Sequence, residues 1–132
     1  MKPKILLRIA AVLMFLHTIG HTMGALTWKK APNAAVAAVI ASMQSEHFPF
    51  MGRESTIAGF YVGYGVGMIL VYLFISLLLW VLSIAFNPGA IALLGIFLVA
   101  LAVEEWIYFF PLAAILSVLA GLSTLASLRK AT

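Results

Sequence analysis

Four long apolar runs constrain the fold of this 132-residue chain more than any other feature. They cover residues 5–27, 57–86, 90–110 and 112–128, and basic residues, prolines or glycines bound them. A helix that crosses a bilayer needs about 20 mostly apolar residues, and a soluble domain of this size has too little interior to bury so much apolar surface. The sequence therefore predicts an all-α integral membrane protein with a single transmembrane domain over residues 1–132.

The breaks between the runs indicate how the helices connect. Asn87-Pro88-Gly89 is a strong turn signal between the second and third runs. Pro111 separates the third run from the fourth, although a kink in one long helix is an alternative at this position. Four spans joined by such short connections predict an up-down-up-down four-helix bundle. The first run is too long for a signal peptide and lacks its cleavage site, so we expect it to stay as helix 1.

The charged residues, only 9% of the chain, predict the orientation in the membrane. Basic residues lie at the ends of the apolar runs, which is typical of membrane-flanking anchors and argues against a nucleic-acid partner. Five of them fall on the side of the two chain ends: Lys2, Lys4, Arg8, Arg129 and Lys130. Three fall in the connection between the first two spans, so the excess predicts that both termini face the cytoplasm. The chain has no cysteine, which excludes a disulfide framework and a thiolate metal site.

The connection over residues 28–56 is the only sizeable segment between the predicted spans. Ala34–Met43 is rich in small apolar residues with high helix propensity. We therefore expect a short interfacial helix between helices 1 and 2. The aromatic stretch Glu46–Gly52 is too apolar for an exposed loop, and we expect it to fold back as a cap on the outer side of the bundle.

Ionisable residues inside the apolar runs are candidates for a site, because charge in a bilayer is costly and faces the bundle interior or a cavity. Helix 1 offers His17 and His21, one turn apart, and the third span offers Glu104 and Glu105. Adjacent residues of a helix point about 100° apart, so only one of the two glutamates faces the interior, and the sequence does not say which. A bond between histidine and glutamate that only satisfies two buried polar groups is the structural alternative.

Helix 2 separates glycines from tyrosines. Gly59, Gly63 and Gly67 form a ridge on one face, which predicts close packing against a neighbouring helix. The opposite face carries Tyr61, Tyr64, Met68 and Tyr72. These tyrosines either line a cavity or serve as packing residues.

Together these groups predict one His/Glu/Tyr pocket in the outer half of the bundle. The catalytic candidates are His21, Glu104, Glu105 and Tyr61. The ligand-binding residues that we expect are His17, His21, His47, Phe48, Phe50, Tyr61, Tyr64, Glu104 and Tyr108. Whether the chain is an enzyme, and which cofactor it uses, stays open at this point.

Short motifs spread over most of the chain carry a family resemblance. Helix 1 contains Gly20-His21-Thr22, the outer connection contains HFPFMGR at residues 47–53, and helix 2 contains FYVG at residues 60–63. With these motifs the chain resembles an uncharacterised family of small bacterial four-helix integral membrane proteins. The resemblance implies a bundle in the bacterial inner membrane and directs attention to His21 and His47.

Three functions are compatible with these features. The first is binding of, or action on, a small apolar or lipid-like molecule such as a lipid, an isoprenoid, a quinone or a sterol-like compound, because buried His, Glu and Tyr side chains can exchange protons. The second is a metal site at His17, His21 and Glu104, or a bis-histidine haem that also needs His47. The third is a non-catalytic assembly protein that forms homo-oligomers through the glycine ridge. Membrane lipids surround the chain in each case.

Overall fold

The computed structural model describes residues 2–129, which contain five α-helices and one two-stranded sheet. Four of the helices are long and apolar enough to cross a membrane, so the chain is an all-α multi-pass membrane protein with a short helix between its first two spans. Lys130, one of the basic residues behind the predicted orientation, lies outside the described residues. The elements in chain order are α1 (Pro3–Thr27), α2 (Ala34–Ser45), β1 (His47–Phe50), β2 (Arg53–Thr56), α3 (Ile57–Leu82), α4 (Pro88–Tyr108) and α5 (Pro111–Leu128).

The predicted helix boundaries have local causes. The side chain of Asn87 accepts a hydrogen bond of 3.0 Å from the backbone N–H of Ala90, and Pro88 follows as the first residue of α4. Pro111 is likewise the first residue of its helix, α5, so it separates two helices and does not kink one. The second span ends at Leu82, four residues before the predicted end, because the still apolar residues 83–86 form the turn that leads into α4.

Residues 47–56 form a β-hairpin, which was not among the predicted elements. His47 is paired with Thr56, and Phe50 with Arg53, in an antiparallel register. The two residues of the turn both have positive φ, 49° at Met51 and 81° at Gly52. Such a pair is typical of the tight hairpin turns that match the twist of two strands, and glycine adopts positive φ without steric cost.

The contacts divide the chain into two compact units. Among the described residues, the first unit contains residues 2–19 and 71–129, and the second contains residues 20–70. The boundary between the units falls within α1 and within α3, so one part of each of these helices belongs to the first unit and the other part to the second.

In the first unit, α1 runs antiparallel to both α3 and α5. The hydroxyl of Ser76 on α3 donates a hydrogen bond of 2.8 Å to the carbonyl of Ala11 on α1, and Tyr72 stacks on His17. Residue numbers thus rise along α1 while they fall along α3. On the α5 side, the hydroxyl of Ser123 donates to the carbonyl of Leu6 at 2.9 Å.

The closest helix approach in the first unit is between α4 and α5. A Cβ at Gly95 would lie 2.6 Å from Leu125 Cδ2, and a Cβ at Gly121 would lie 3.1 Å from the backbone nitrogen of Val99. These paired positions show that α4 and α5 are antiparallel, and the four helices of this unit follow the predicted up-down-up-down order. Its fully buried side chains include Leu7, Met14, Leu79, Ile91 and Leu98.

The glycine ridge of α3 does not make the close helix contact predicted for it within this chain. Apart from the adjoining backbone of α3 itself, no atom of residues 2–129 lies within 4 Å of where a Cβ would stand at Gly63 or Gly67. At Gly59 the one such atom is the hydroxyl oxygen of Thr56, which accepts a hydrogen bond from the Gly59 N–H. Oligomer formation through this ridge stays a prediction.

In the second unit, the end of α1 packs beside the beginning of α3. The Trp28 and Tyr61 ring centroids are 5.1 Å apart, and His21 Nε2 lies 3.2 Å from the carbonyl oxygen of Gly65. The hairpin folds back on the same helix, since Phe48 and Phe50 both contact the ring of Phe60.

Candidate functional site

Four polar side chains meet in the core of the first unit, one from each of its helices. They are His17 of α1, Tyr72 of α3, Glu105 of α4 and Ser117 of α5, and none is more than 5% exposed. We call this group the buried cluster. Because polar side chains in a membrane-spanning bundle are costly unless they are paired, their convergence from four helices marks the candidate site.

Glu105 and His17 form the centre of the buried cluster. Oε1 of Glu105 lies 3.4 Å from Nε2 of His17 and accepts a hydrogen bond of 3.1 Å from the hydroxyl of Tyr72. The other ring nitrogen of His17, Nδ1, lies 3.2 Å from the hydroxyl oxygen of Ser117. When the imidazole carries its hydrogen on Nε2, it donates to Glu105 while Nδ1 accepts from Ser117. The cluster is thus a continuous chain of hydrogen-bonding groups across four helices.

The ring of Tyr72 also fixes the orientation of the imidazole. The two ring centroids are 4.3 Å apart, and the ring planes are inclined by 25°. Tyr72 therefore holds the carboxylate with its hydroxyl and supports His17 with its ring. Such positioning by a neighbouring side chain is what a proton-exchanging site requires.

One oxygen of Glu105 has no hydrogen-bond partner among residues 2–129. Oε2 is fully buried, although Oε1 is bonded. An unsatisfied buried acceptor costs about 1–3 kcal/mol, and more when it is charged. A proton or the donor group of a bound molecule would remove that cost, so Oε2 is the atom of the cluster best suited to meet a ligand.

An apolar groove lies between α4 and α5 at the same level as the buried cluster. It has a volume of about 290 Å³ and is lined by eight apolar residues of these two helices. Ala102 and Ala114 are its buried members, and Trp106 and Ile107 are exposed at 64% each. Ala102 is one helical turn before Glu105, and Ala114 is one turn before Ser117. The same turns of α4 and α5 therefore carry the groove and the cluster.

The structure decides between the two candidate glutamates and between the two histidines of helix 1. Glu105 is buried at 1% exposure, whereas Glu104 is exposed. His17 belongs to the buried cluster. His21, one of the predicted catalytic candidates, belongs to the second unit and contacts the carbonyl oxygen of Gly65. The ionisable pair of the first unit is thus His17 and Glu105.

The other predicted site residues are divided between the two units. Tyr108 belongs to the first unit and is 74% exposed at the end of α4. Five belong to the second unit. They are His47, Phe48, Phe50, Tyr61 and Tyr64, of which Phe48 alone is half-buried and the others are exposed.

Two members of the buried cluster were not among the predicted site residues. Tyr72 was grouped with the other tyrosines of helix 2, and Ser117 was not singled out. The sequence does contain a signal for both residues: each is a hydroxyl side chain inside an apolar span, and such side chains commonly form hydrogen bonds to neighbouring helices. Ser76, one turn after Tyr72, makes such a bond to α1 and marks the same face of α3.

The structure does not assemble the predicted metal ligands. Among residues 2–129 no three His, Asp or Glu side chains lie close enough to share a metal ion. The set His17, His21 and Glu104 is not formed, since Glu105 and not Glu104 faces His17. Adjacent residues of α4 point about 100° apart, so one glutamate facing inward turns the other away.

Comparisons with known proteins found no matching family model, curated protein or solved structure for this chain. The resemblance to the small bacterial family stays a prediction.

Proposed function

We propose that this chain is a small bacterial inner-membrane protein that binds a small apolar or lipid-like molecule beside the buried cluster. The apolar body of the ligand lies in the groove between α4 and α5, and its polar group bonds to Oε2 of Glu105. The observation that carries the proposal is the buried, unpartnered Oε2 in a site otherwise satisfied by His17 and Tyr72.

The composition of the groove supports an apolar ligand. Its lining is apolar throughout, and its helices are two of the four candidate spans. Ligand sites are commonly apolar clefts with a small number of polar groups that fix orientation. The two alanines are the smallest side chains of the lining, and they lie one helical turn before Glu105 and Ser117.

The cluster also supports proton exchange with such a ligand. The His17 imidazole lies between a carboxylate and a hydroxyl, so a proton taken up at Glu105 has a hydrogen-bonded route to Ser117. A ligand with a hydroxyl group, which can donate a hydrogen bond to Oε2 of Glu105, is therefore the class that fits best. The proposal concerns binding of the ligand and does not include a reaction.

The proposed location rests on sequence features. The motifs around His21 and His47 resemble those of bacterial inner-membrane proteins. The basic residues near the two chain ends outnumber those of the connection between the first two spans, which favours cytoplasmic termini.

The proposal is tested by mass spectrometry of organic extracts from the protein purified in mild detergent. We expect the wild type to carry an apolar molecule in near-stoichiometric amount. Val103→Trp fills the groove and removes that molecule. Leu93→Trp, at another exposed position of α4 outside the groove, is the matched control and retains it. Equal retention by both variants, or no molecule on a folded wild type, would contradict the proposal.

A further inference from the structure

The second unit contains a recess where the β-hairpin meets the beginning of α3. Its volume is about 690 Å³. Its lining includes Arg53 and Glu54 of β2 and His47 of β1. Gly63 and Tyr64 are among the residues of α3 that line it. The recess therefore combines both signs of charge with an aromatic hydroxyl and an open backbone surface.

Neither Arg53 nor Glu54 forms an ion pair with another of the residues 2–129. The ion pair in this part of the chain joins His17 and Glu105 of the buried cluster. Both side chains are exposed. A guanidinium binds a phosphate with two parallel hydrogen bonds, and a carboxylate binds an ammonium group. A ligand with a phosphate and a primary amine carries a binding partner for each of the two residues.

The neighbouring residues indicate that the recess lies at the level of lipid headgroups. Trp28 and Tyr61 stand side by side where α1 ends and α3 begins, and the ammonium of Lys29 is 5.6 Å from the centre of the Trp28 ring. Aromatic and basic residues at the ends of spans are typical of the membrane–water interface. In the second unit, these anchors and the recess belong to the same end of α3.

A furrow along α3 continues from the recess. Gly59 and Gly63 line the recess, and Gly67 follows on the same face one turn later. Apart from the adjoining backbone of α3 itself, no atom of the described residues stands within 4 Å of the Cβ positions of Gly63 and Gly67. At a rise of about 1.5 Å per residue, the three glycines span about 12 Å, of which the part from Gly63 to Gly67, about 6 Å, is open. An acyl chain would lie against this open part of the helix.

We propose that this recess binds the headgroup of an amine-bearing phospholipid, phosphoethanolamine in particular, with one acyl chain along the glycines of α3. Arg53 binds the phosphate, and His47 and Tyr64 supply further polar contacts. Glu54 accepts hydrogen bonds from the ammonium group. The recess shares no residue with the buried cluster, and the proposal does not depend on the function proposed for that cluster.

A lipid fits these observations better than a second copy of the chain. A glycine ridge alone is also suited to helix association, but helix association does not call for a phosphate-binding guanidinium and an unpaired carboxylate in the same recess. A free phosphate ion would leave both Glu54 and the furrow unoccupied. The zwitterionic lipid accounts for the charges and the furrow together.

Native mass spectrometry of the purified chain with an equimolar mixture of phosphatidylethanolamine, phosphatidylcholine and phosphatidylglycerol tests the proposal. The wild type should retain phosphatidylethanolamine in preference to the other two. Arg53→Gln should lower that retention about tenfold, since a charge-assisted hydrogen-bonded pair is lost. Lys30→Gln removes the same charge outside the recess and should leave retention unchanged.

Two further variants separate headgroup recognition from chain binding. Glu54→Gln should keep lipid bound but abolish the preference for phosphatidylethanolamine over phosphatidylglycerol. Gly63→Leu should fill the furrow and reduce retention of all three lipids, whereas Gly24→Leu, at an equally open glycine of α1, should not. Thermal melting of each variant in detergent confirms that it is folded.

Three results would overturn the proposal. The first is equal retention of the three lipids by the wild type. The second is displacement of bound lipid by inorganic phosphate at millimolar concentration, which would identify a site for the free anion. The third is conversion of a dimer into a monomer by Gly63→Leu with lipid retention unchanged, which would assign the glycines to an interface between two copies.

Discussion

His17 of α1 and Glu105 of α4 lie 3.4 Å apart, Nε2 to Oε1, in the core of the first unit. The pair has a hydroxyl at each end, from Ser117 and Tyr72. This contact joins the first and the third spanning helices, so its removal is expected to affect stability as well as binding.

Replacement of Glu105 should show how much the pair contributes to stability. Glu105→Leu leaves the Tyr72 hydroxyl and His17 Nε2 without this acceptor, and we expect the free energy of unfolding to fall by about 1–2 kcal/mol. Glu105→Gln keeps an acceptor oxygen and should cost less. Glu104→Gln, at the exposed neighbour, should change the value by less than about 0.5 kcal/mol. Unfolding in mixed detergent and dodecyl sulfate measures each value, and a Glu105→Leu variant as stable as the wild type would contradict this expectation.

The Ser117 hydroxyl should control one nitrogen of His17. In Ser117→Ala the Nδ1 atom loses its hydrogen bond, so its nitrogen chemical shift should move toward that of an unbonded imidazole nitrogen. Ser123→Ala is the matched control, because that hydroxyl also joins α5 to α1 but donates to the carbonyl of Leu6. Nitrogen NMR of histidine-labelled protein distinguishes the two variants. An unchanged His17 signal in Ser117→Ala would show that the contact is not a hydrogen bond.

Glycines of α4 and α5 should tolerate a methyl group far less than those of α3. Gly121→Ala puts a Cβ 3.1 Å from the Val99 nitrogen and 3.2 Å from the carbonyl oxygen of Gly95. Overpacking of this kind costs about 1–3 kcal/mol. Gly67→Ala meets no described atom within 4 Å and should be neutral or stabilising by up to about 1 kcal/mol through helix propensity. Melting temperatures in one detergent test this difference, and a reversed order would be inconsistent with the described packing.

The hairpin turn should depend on its two residues of positive φ. Gly52→Ala forces a side chain into φ 81° and should destabilise the hairpin by about 1 kcal/mol. Met51→Asn should stabilise the hairpin, since asparagine tolerates the left-handed region better. Hydrogen exchange of the amides in residues 47–56 measures both effects. Faster exchange in Met51→Asn than in Gly52→Ala would mean that this turn does not limit the hairpin.

Hydropathy predicts the four spans because the apolar runs end at strong local signals, and the helix propensity of residues 34–43 predicts the short α2. Asn87 and Pro111 begin helices for reasons that a sequence displays, a capping side chain and a proline that needs no N–H partner. The hairpin was missed because its strands are short and its turn, at Met51 and Gly52, lies in an aromatic stretch without the usual polar turn residues.

The choice of His17 over His21 required the structure. The two histidines are one turn apart on nearly the same face of α1, so helical periodicity does not separate them. The two histidines differ in their position along α1, and Glu105 and Ser117 approach α1 at the level of His17. This level depends on the packing of α4 against α5 around Gly95 and Gly121. The sequence likewise identifies two adjacent glutamates, but only the direction of α4 selects Glu105.

The buried cluster takes one residue from each of four helices, which has a consequence for the order of membrane insertion. His17 belongs to a helix that is synthesised before the helices of Glu105 and Ser117. Until α4 and α5 have entered the bilayer, the imidazole lacks both of these partners, and an unsatisfied polar group in hydrocarbon is costly. A nascent chain that stalls after α3 therefore has His17 without Glu105 and Ser117, which distinguishes it chemically from the finished protein.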